Sequence, residues 1–269
     1  FDNDAPRIFC TVYTVEARHS LVQAIRQTWG HQCDGFMAVS TKTDPSVNAV
    51  QIKHLGEEAY GNMYQKVRSI WAYIHKHYKD KYDFFIMGGD DYYLIVDNLR
   101  KYVMSDNVIA KGGGTGWPNP LYFGREVKTK FFNHGGPGYV LNRASLELLV
   151  EKAFMQEDTC FPFGKASFED RLIAGCLENF SIVPFDTRDG NGKQRFHIFT
   201  PKQIAEAVYG GMGDYYRYDV CDRENNEDWE ETQCQSGLDA ISSSSISFHY
   251  LKANAMRQMH AALYDLCPE

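Results

Sequence analysis

The chain has 269 residues, enough for one large domain or two small ones with a substantial core. At 43% hydrophobic and 23% charged residues its composition is that of an ordinary soluble globular protein. A formal net charge of −7 with no basic stripe argues against nucleic acid as a partner, and no apolar run approaches the length of a membrane span. The chain starts at Phe1 rather than Met, which suggests a leader or anchor that is not part of it.

The seven cysteines show no CxxC and no zinc-like spacing. Cys10 lies on the first predicted strand and Cys33 just past the first helix, so the two could meet. Cys160 and Cys176 flank a loop-to-helix unit, and Cys221 and Cys234 bracket an acidic loop, which leaves Cys267 over. Such pairing, with the sequon Asn179-Phe180-Ser181, favours a secretory compartment over free thiols in a cytosolic protein.

Arg7–Thr14 alternates and reads as a first strand with polar groups at its carboxyl end. Ala17–Trp29 has helical periodicity through Leu21, Ile25 and Trp29, with Gly30 as a C-cap. Phe36–Ser40 is a second strand, Thr41–Val50 a loop, and Gln51–Leu55 a third strand. Met63–Tyr78 is the strongest helix, apolar at Met63, Val67, Ile70, Trp71 and Ile74. This alternation predicts an α/β fold with a mostly parallel sheet, although no GxGxxG follows the first strand.

Phe84-Phe85-Ile86-Met87 suits a buried central strand, read as stopping at Gly88-Gly89, with Asp90 and Asp91 directly after it. In open α/β sheets ligands bind outside the carboxyl ends of the strands. A carboxylate pair there suits a hard divalent cation that keeps positions open for phosphate oxygens. The same residues also suit a strand followed by an acidic turn.

Past Val96, Asp97–Met104 reads as a short helix, Gly112–Pro120 as a loop, and Leu121–Glu126 with Thr129–Asn133 as a hairpin. The glycines of His134-Gly135-Gly136-Pro137-Gly138 permit a close approach by backbone or ligand, or a tight turn into the strand Tyr139-Val140-Leu141. Arg143–Phe154 is a helix. Ser167 is placed as N-cap of another, with Glu169 and Asp170 in its first turn, where a general base could sit or the helix dipole could simply be met. Tyr209–Tyr218 reads as a flexible lid or sugar platform and Asp219–Glu231 as a solvated acidic loop. Ile246–Tyr250 is a last strand carrying His249.

Together RIFCTVYT, RQTWGHQC, FFIMGGDDYYLIVDNLR, GGPGYVLNRASLELLV, SFEDRLIAGCLE and SISFHY resemble, in family order, the inverting β-1,3-glycosyltransferases, in particular the core 1 β-1,3-galactosyltransferases that extend O-linked GalNAc. The resemblance implies a single GT-A (Rossmann-like) catalytic domain over residues 1–269. Residues 7–98 would be the nucleotide-sugar half and 99–269 the acceptor-side half with a C-terminal metal-ligand strand. It implies Mn2+, a UDP-sugar donor (UDP-galactose first among them) and a glycan or glycopeptide acceptor. It also implies a type II protein of the Golgi lumen, attached to the membrane only through an anchor absent from this chain; a homodimer is left open.

By the same resemblance Asp91 and His249 hold the metal and Asp90 lies near the ribose and diphosphate. Asp170 is the base, Gly135, Gly136 and Gly138 line the sugar pocket, and Thr14, Arg26 and Lys66 shape the uridine pocket. The first acid of the family's metal motif falls on Gly89, so a non-catalytic, chaperone-like relative is one alternative. A Fringe-like GlcNAc transferase is another.

Overall fold

A computed structural model describes residues 5–127, 131–206 and 237–266. The stretches Tyr209–Tyr218 and Asp219–Glu231, with Cys221, Cys234 and Cys267, lie outside the described residues. The main sheet has six strands in the order β3-β2-β1-β4-β9-β6. These are β1 (Ile8–Tyr13), β2 (Gly35–Ser40), β3 (Ala49–Gln51), β4 (Phe84–Gly89), β6 (Tyr122–Gly124) and β9 (Tyr139–Asn142). The first four run parallel; β9 lies antiparallel to both β4 and β6. The strand order reverses beside β1 and β4, so the carboxyl ends of these two strands open the crevice in which α/β sheets bind ligands. The expected α/β class, with a mostly parallel central sheet and a smaller second sheet, is what the chain forms.

The smaller sheet joins β5 (Tyr93–Leu94), β10 (Phe196–His197) and β11 (Ser247–Phe248), and β7 (Glu126–Val127) pairs with β8 (Phe132–Asn133). The helices are α1 (His19–Gln27), α2 (Met63–Tyr78), α3 (Val96–Val103), α4 (Asp106–Lys111), α5 (Arg143–Glu151), α6 (Glu157–Cys160), α7 (Glu169–Glu178), α8 (Pro201–Ala205) and α9 (Ala253–His260).

Two apolar layers cover the main sheet. On one face α2, α5 and α7 pack together, and Met63, Val67, Ile70, Trp71 and Ile74 of α2 are all buried in that layer. Each such side chain contributes roughly 2 kcal/mol on burial, which is what fixes α2 to the sheet. On the other face Val22, Ile25 and Trp29, from α1 and the turn after it, pack with Leu99 and Val103 of α3 and Met256 of α9. Disulfides Cys10–Cys33 and Cys160–Cys176 close separations of 23 and 16 residues, each worth about 3 kcal/mol by loop entropy. Both pairs are those suggested by position.

Several expected boundaries move. β4 continues through Gly88 and Gly89, which pair with Val12 and Tyr13 of β1. The glycines mark a close approach rather than a stop: a Cβ on Gly88 would sit 3.1 Å from the Gly138 Cα. The third strand is Ala49–Gln51, short of Leu55. The expected hairpin is split, because Tyr122–Gly124 pairs with β9 while only Glu126–Val127 turns back onto β8. Ser167 is not the cap of α7; Phe168 holds that position and its side chain makes no capping bond.

Candidate active site

Asp90 and Asp91 follow β4 directly, and β5 begins two residues later. β11 pairs with β5 through Phe248↔Tyr93, and the Leu251 N–H donates to the Asp91 carbonyl at 2.8 Å. That pairing brings His249, more than 150 residues away in sequence, to the acid pair: its Nε2 lies 3.2 Å from Asp91 Oδ1. His249 is nearly buried, its ring lies 3.8 Å from that of Tyr250 at a tilt of 30°, and its Nδ1 has no hydrogen-bond partner among the described residues. Tyr250 takes a left-handed φ of 60°. A strained non-glycine conformation of this kind is characteristic of a site whose surroundings over-determine it.

Asp90 is held from two directions. The Thr14 hydroxyl at the end of β1 donates to its Oδ2 at 2.5 Å, and Arg18 Nη2 lies 2.5 Å from Oδ1. Burial pushes the Asp90 carboxyl up to about 6, against the pull of Thr14 and Arg18 and with the charge of Asp91 adding to it. Burial also presses Asp91 upward, but the His249 bond and charge, with Arg18, outweigh it and hold Asp91 below the ordinary carboxylate range. Lys66 of α2 donates to the Thr14 carbonyl at 2.7 Å and to Glu58 at 2.5 Å, fixing the turn after β1.

The opposite wall is the first turn of α7. Asp170 Oδ2 accepts from the Gly135 N–H and Oδ1 from the Arg171 N–H, both at 2.9 Å. Burial nevertheless dominates and raises the Asp170 carboxyl. Glu169 beside it is fully enclosed, accepts from the Tyr139 hydroxyl at 3.1 Å, and is raised far above its usual value by burial and by the charge of Asp170. The Trp71 indole N–H in turn donates to Tyr139 at 3.1 Å.

Gly135 and Gly136 join the two walls. A Cβ on Gly135 would meet the Glu169 carboxyl at 2.8 Å, and one on Gly136 would meet the His249 ring at 2.4 Å. Only glycine lets both groups come this close. The Gly136 N–H donates to His134 Nδ1 at 3.0 Å, and burial together with the charges of His249, Arg125 and Arg171 lowers His134 to about 3, so it stands neutral.

These groups line one pocket of about 980 Å³, the upper end of the range for small-molecule sites. It holds Thr14, Lys66, Asp90, Asp91, Gly135, Gly136, Asp170 and His249 together. Two expected members are elsewhere. Arg26 is on α1 and its guanidinium bonds the Ser46 carbonyl, away from the lining. Gly138, at φ 79°, packs behind the wall against Met87 and Ile86 of β4. Both placements have one reason: sequence proximity to a motif does not say which side of a helix or turn faces the crevice. The lining also includes Arg18 and Glu169. In sequence Arg18 reads as one more polar position in the first turn of the helix Ala17–Trp29, and Glu169 as a dipole partner.

No family model matches the chain. Among curated proteins it is 28% identical over 246 residues to glycoprotein-N-acetylgalactosamine 3-beta-galactosyltransferase 1 of Xenopus laevis, covering 90% of this chain and 61% of that protein. The chain thus spans about three fifths of the relative's length. Among solved structures, an active-site mutant of LgtC has a TM-score of 0.46 at 8% identity, over 94% of this chain and 95% of that one, a likeness too loose to carry an argument. The two disulfides fit a secreted or luminal domain, and among the described residues no helix is long and apolar enough to cross a membrane. Over nine tenths of its length the chain is similar to a β-1,3-galactosyltransferase, the relationship its motifs implied.

Proposed function

We propose that this chain is a metal-dependent, inverting β-1,3-galactosyltransferase of the Golgi lumen that moves galactose from UDP-galactose to O-linked GalNAc of a glycoprotein. The observation that carries the reading is the pocket itself. It sets an Asp–His pair on the sheet side against an enclosed carboxyl with raised pKa on the α7 side, joined by two glycines. The sequence relative, named for galactosyl transfer to glycoprotein N-acetylgalactosamine, supports the donor and acceptor classes.

The residues fit a manganese ion. Asp91 Oδ1 and His249 Nε2 lie 3.2 Å apart, close to the roughly 3 Å between adjacent donors around one octahedral cation of Mg2+ size. Carboxylate and imidazole are both suitable ligands for such an ion. Among the described residues no cluster of three or more His, Cys, Asp or Glu could hold a metal, so phosphate oxygens of the donor would complete the site. Bound there, manganese would offset the negative charge that grows on the departing diphosphate.

The protein's own groups do the rest. Asp170 takes the proton from the acceptor hydroxyl, whose oxygen attacks the anomeric carbon from the face opposite UDP, giving a β product. The N–H groups of Gly135 and Arg171 aim the Asp170 carboxylate. Burial and the charge of Asp170 raise the Glu169 carboxyl well above its ordinary value, favouring its protonated form beside Asp170.

Calorimetric titration of UDP, with manganese and then with EDTA, tests the donor site in wild type and Asp91→Ala. Binding that needs the metal and vanishes in the variant is expected. An absence of binding in both buffers would favour the non-catalytic alternative that Gly89 raises, and a donor hydrolysis panel would separate UDP-galactose from the UDP-GlcNAc of a Fringe-like enzyme.

A further inference from the structure

We infer that Arg18 is a diphosphate-binding residue: it is the resident counter-cation of the Asp90–Asp91 pair and exchanges Asp90 for a phosphate oxygen when the donor enters. The inference deepens the proposed donor reading and rests on it.

Arg18 ends the 3-10 turn Glu16–Arg18 that follows β1 and holds the N-cap position of α1. In doubly wound folds this turn receives the diphosphate, and a glycine-rich loop there usually supplies backbone N–H groups. Here the turn reads Val15-Glu16-Ala17-Arg18 and has no glycine. A side-chain cation stands where the N–H cradle would be.

Its geometry suits exchange. Arg18 Nη2 is 2.5 Å from Asp90 Oδ1 and 3.5 Å from Asp91 Oδ2, yet its side chain remains 47% exposed and lines the pocket. The other cations on the lining are committed. Lys66, almost fully buried, bonds Glu58 and the Thr14 carbonyl. Arg171 lies over the Phe132 and Phe168 rings at 5.2 and 5.8 Å, on the Asp170 side. The lining also carries Glu58, Asp90, Asp91, Glu169 and Asp170, so an entering diphosphate meets more acids than bases.

The residue before the pair sharpens the point. Gly89 adds no carboxylate, and a Cβ there would lie 2.9 Å from Asp91 Oδ1. With only two acids at the strand end, a single guanidinium neutralises half of the pair's charge. Arg18 therefore both screens the acids from a free cation and adds positive charge for the donor. Its planar fork can bind phosphate through two N–H groups at once, which the ammonium of lysine cannot reproduce.

The test uses wild type, Arg18→Met and Arg18→Lys, with thermal melts to show that each is folded. UDP is titrated calorimetrically with manganese and with EDTA, and manganese alone is titrated by electron paramagnetic resonance. Arg18→Met should weaken UDP by about tenfold or more in any buffer where wild type binds. Arg18→Lys should recover part of that loss, and manganese alone should bind Arg18→Met more tightly than wild type. If wild type binds UDP and Arg18→Met binds it equally well, this inference alone falls. If wild type binds no UDP, the donor reading falls and takes the inference with it.

Discussion

The pocket encloses two pairs of adjacent carboxyls, Asp90-Asp91 after β4 and Glu169-Asp170 at the start of α7, and they are satisfied by different means. The β4 pair is met chiefly by the Arg18 guanidinium, which reaches both acids, with the Thr14 hydroxyl on Asp90 and the His249 ring on Asp91. The α7 pair is met by the Gly135 and Arg171 N–H groups and the Tyr139 hydroxyl. Asp91 is accordingly held below the usual carboxylate range, whereas Asp170 and Glu169 are raised by burial, as is Asp90, pushed up to about 6 despite Arg18. Cations keep a carboxylate ionised and ready for a metal, whereas burial with few donors makes it readier to take a proton. Divergent environments for similar groups are how one site separates its electrostatic and its acid–base parts.

The largest expected effect breaks the α7 side. Asp170→Asn should lower transfer by about 10³-fold, within the range for loss of a general base, while UDP binding stays as in wild type. In wild type the acid limb of kcat/KM should lie above the ordinary carboxylate range, because Asp170 is raised and must be deprotonated to accept a proton. A loss of UDP affinity in Asp170→Asn would instead place this residue in the donor site.

Gly136→Ala should come next, because its Cβ would meet the His249 ring 2.4 Å away and push it from Asp91. A displacement of this size costs about 10²-fold where geometry matters, and should be read as lost manganese-dependent UDP binding. Full metal dependence in that variant would show that His249 is not a ligand.

Smaller effects sharpen the account of the enclosed pair. Tyr139→Phe removes the hydroxyl that donates to Glu169 and should lower stability by about 1 kcal/mol in urea unfolding. Glu169→Gln should flatten the dependence of Tm on pH. The Glu169 pKa is raised on folding, so its contribution to stability is full below the unfolded value of about 4.3 and is lost as pH rises toward the folded value. Wild type should therefore lose stability across that window, and the amide variant should lose less. Parallel curves would show that Glu169 is ionised equally in both states.

Much of this was legible in sequence where the signal is local. The period of Met63–Tyr78 gave α2 with its observed ends, and the run Phe84–Met87 before Asp90-Asp91 gave the central strand and its acidic exit. Cys10–Cys33 and Cys160–Cys176 followed from positions at the ends of elements. What stayed hidden depends on contacts between distant segments. Gly88 and Gly89 look like a strand stop until β1 is seen to pair with them and Gly138 to pack beside Gly88. Arg18 acquires its role only when β1 and β4 lie side by side, and Glu169 only when Tyr139 and Trp71 come through the core to meet it. Neither α4 nor α9 was anticipated; each is short, six and eight residues, and a single turn or two gives periodicity little to work on.

The most direct measurement is the product itself. UDP-galactose and a GalNAc-bearing glycopeptide are incubated with the protein and manganese, and the product linkage is assigned by NMR. The expected result is galactose β-linked to O3 of GalNAc, formed in a single inverting step and absent with Asp170→Asn. An α-linked product, or no transfer by a protein that binds UDP tightly, would contradict it.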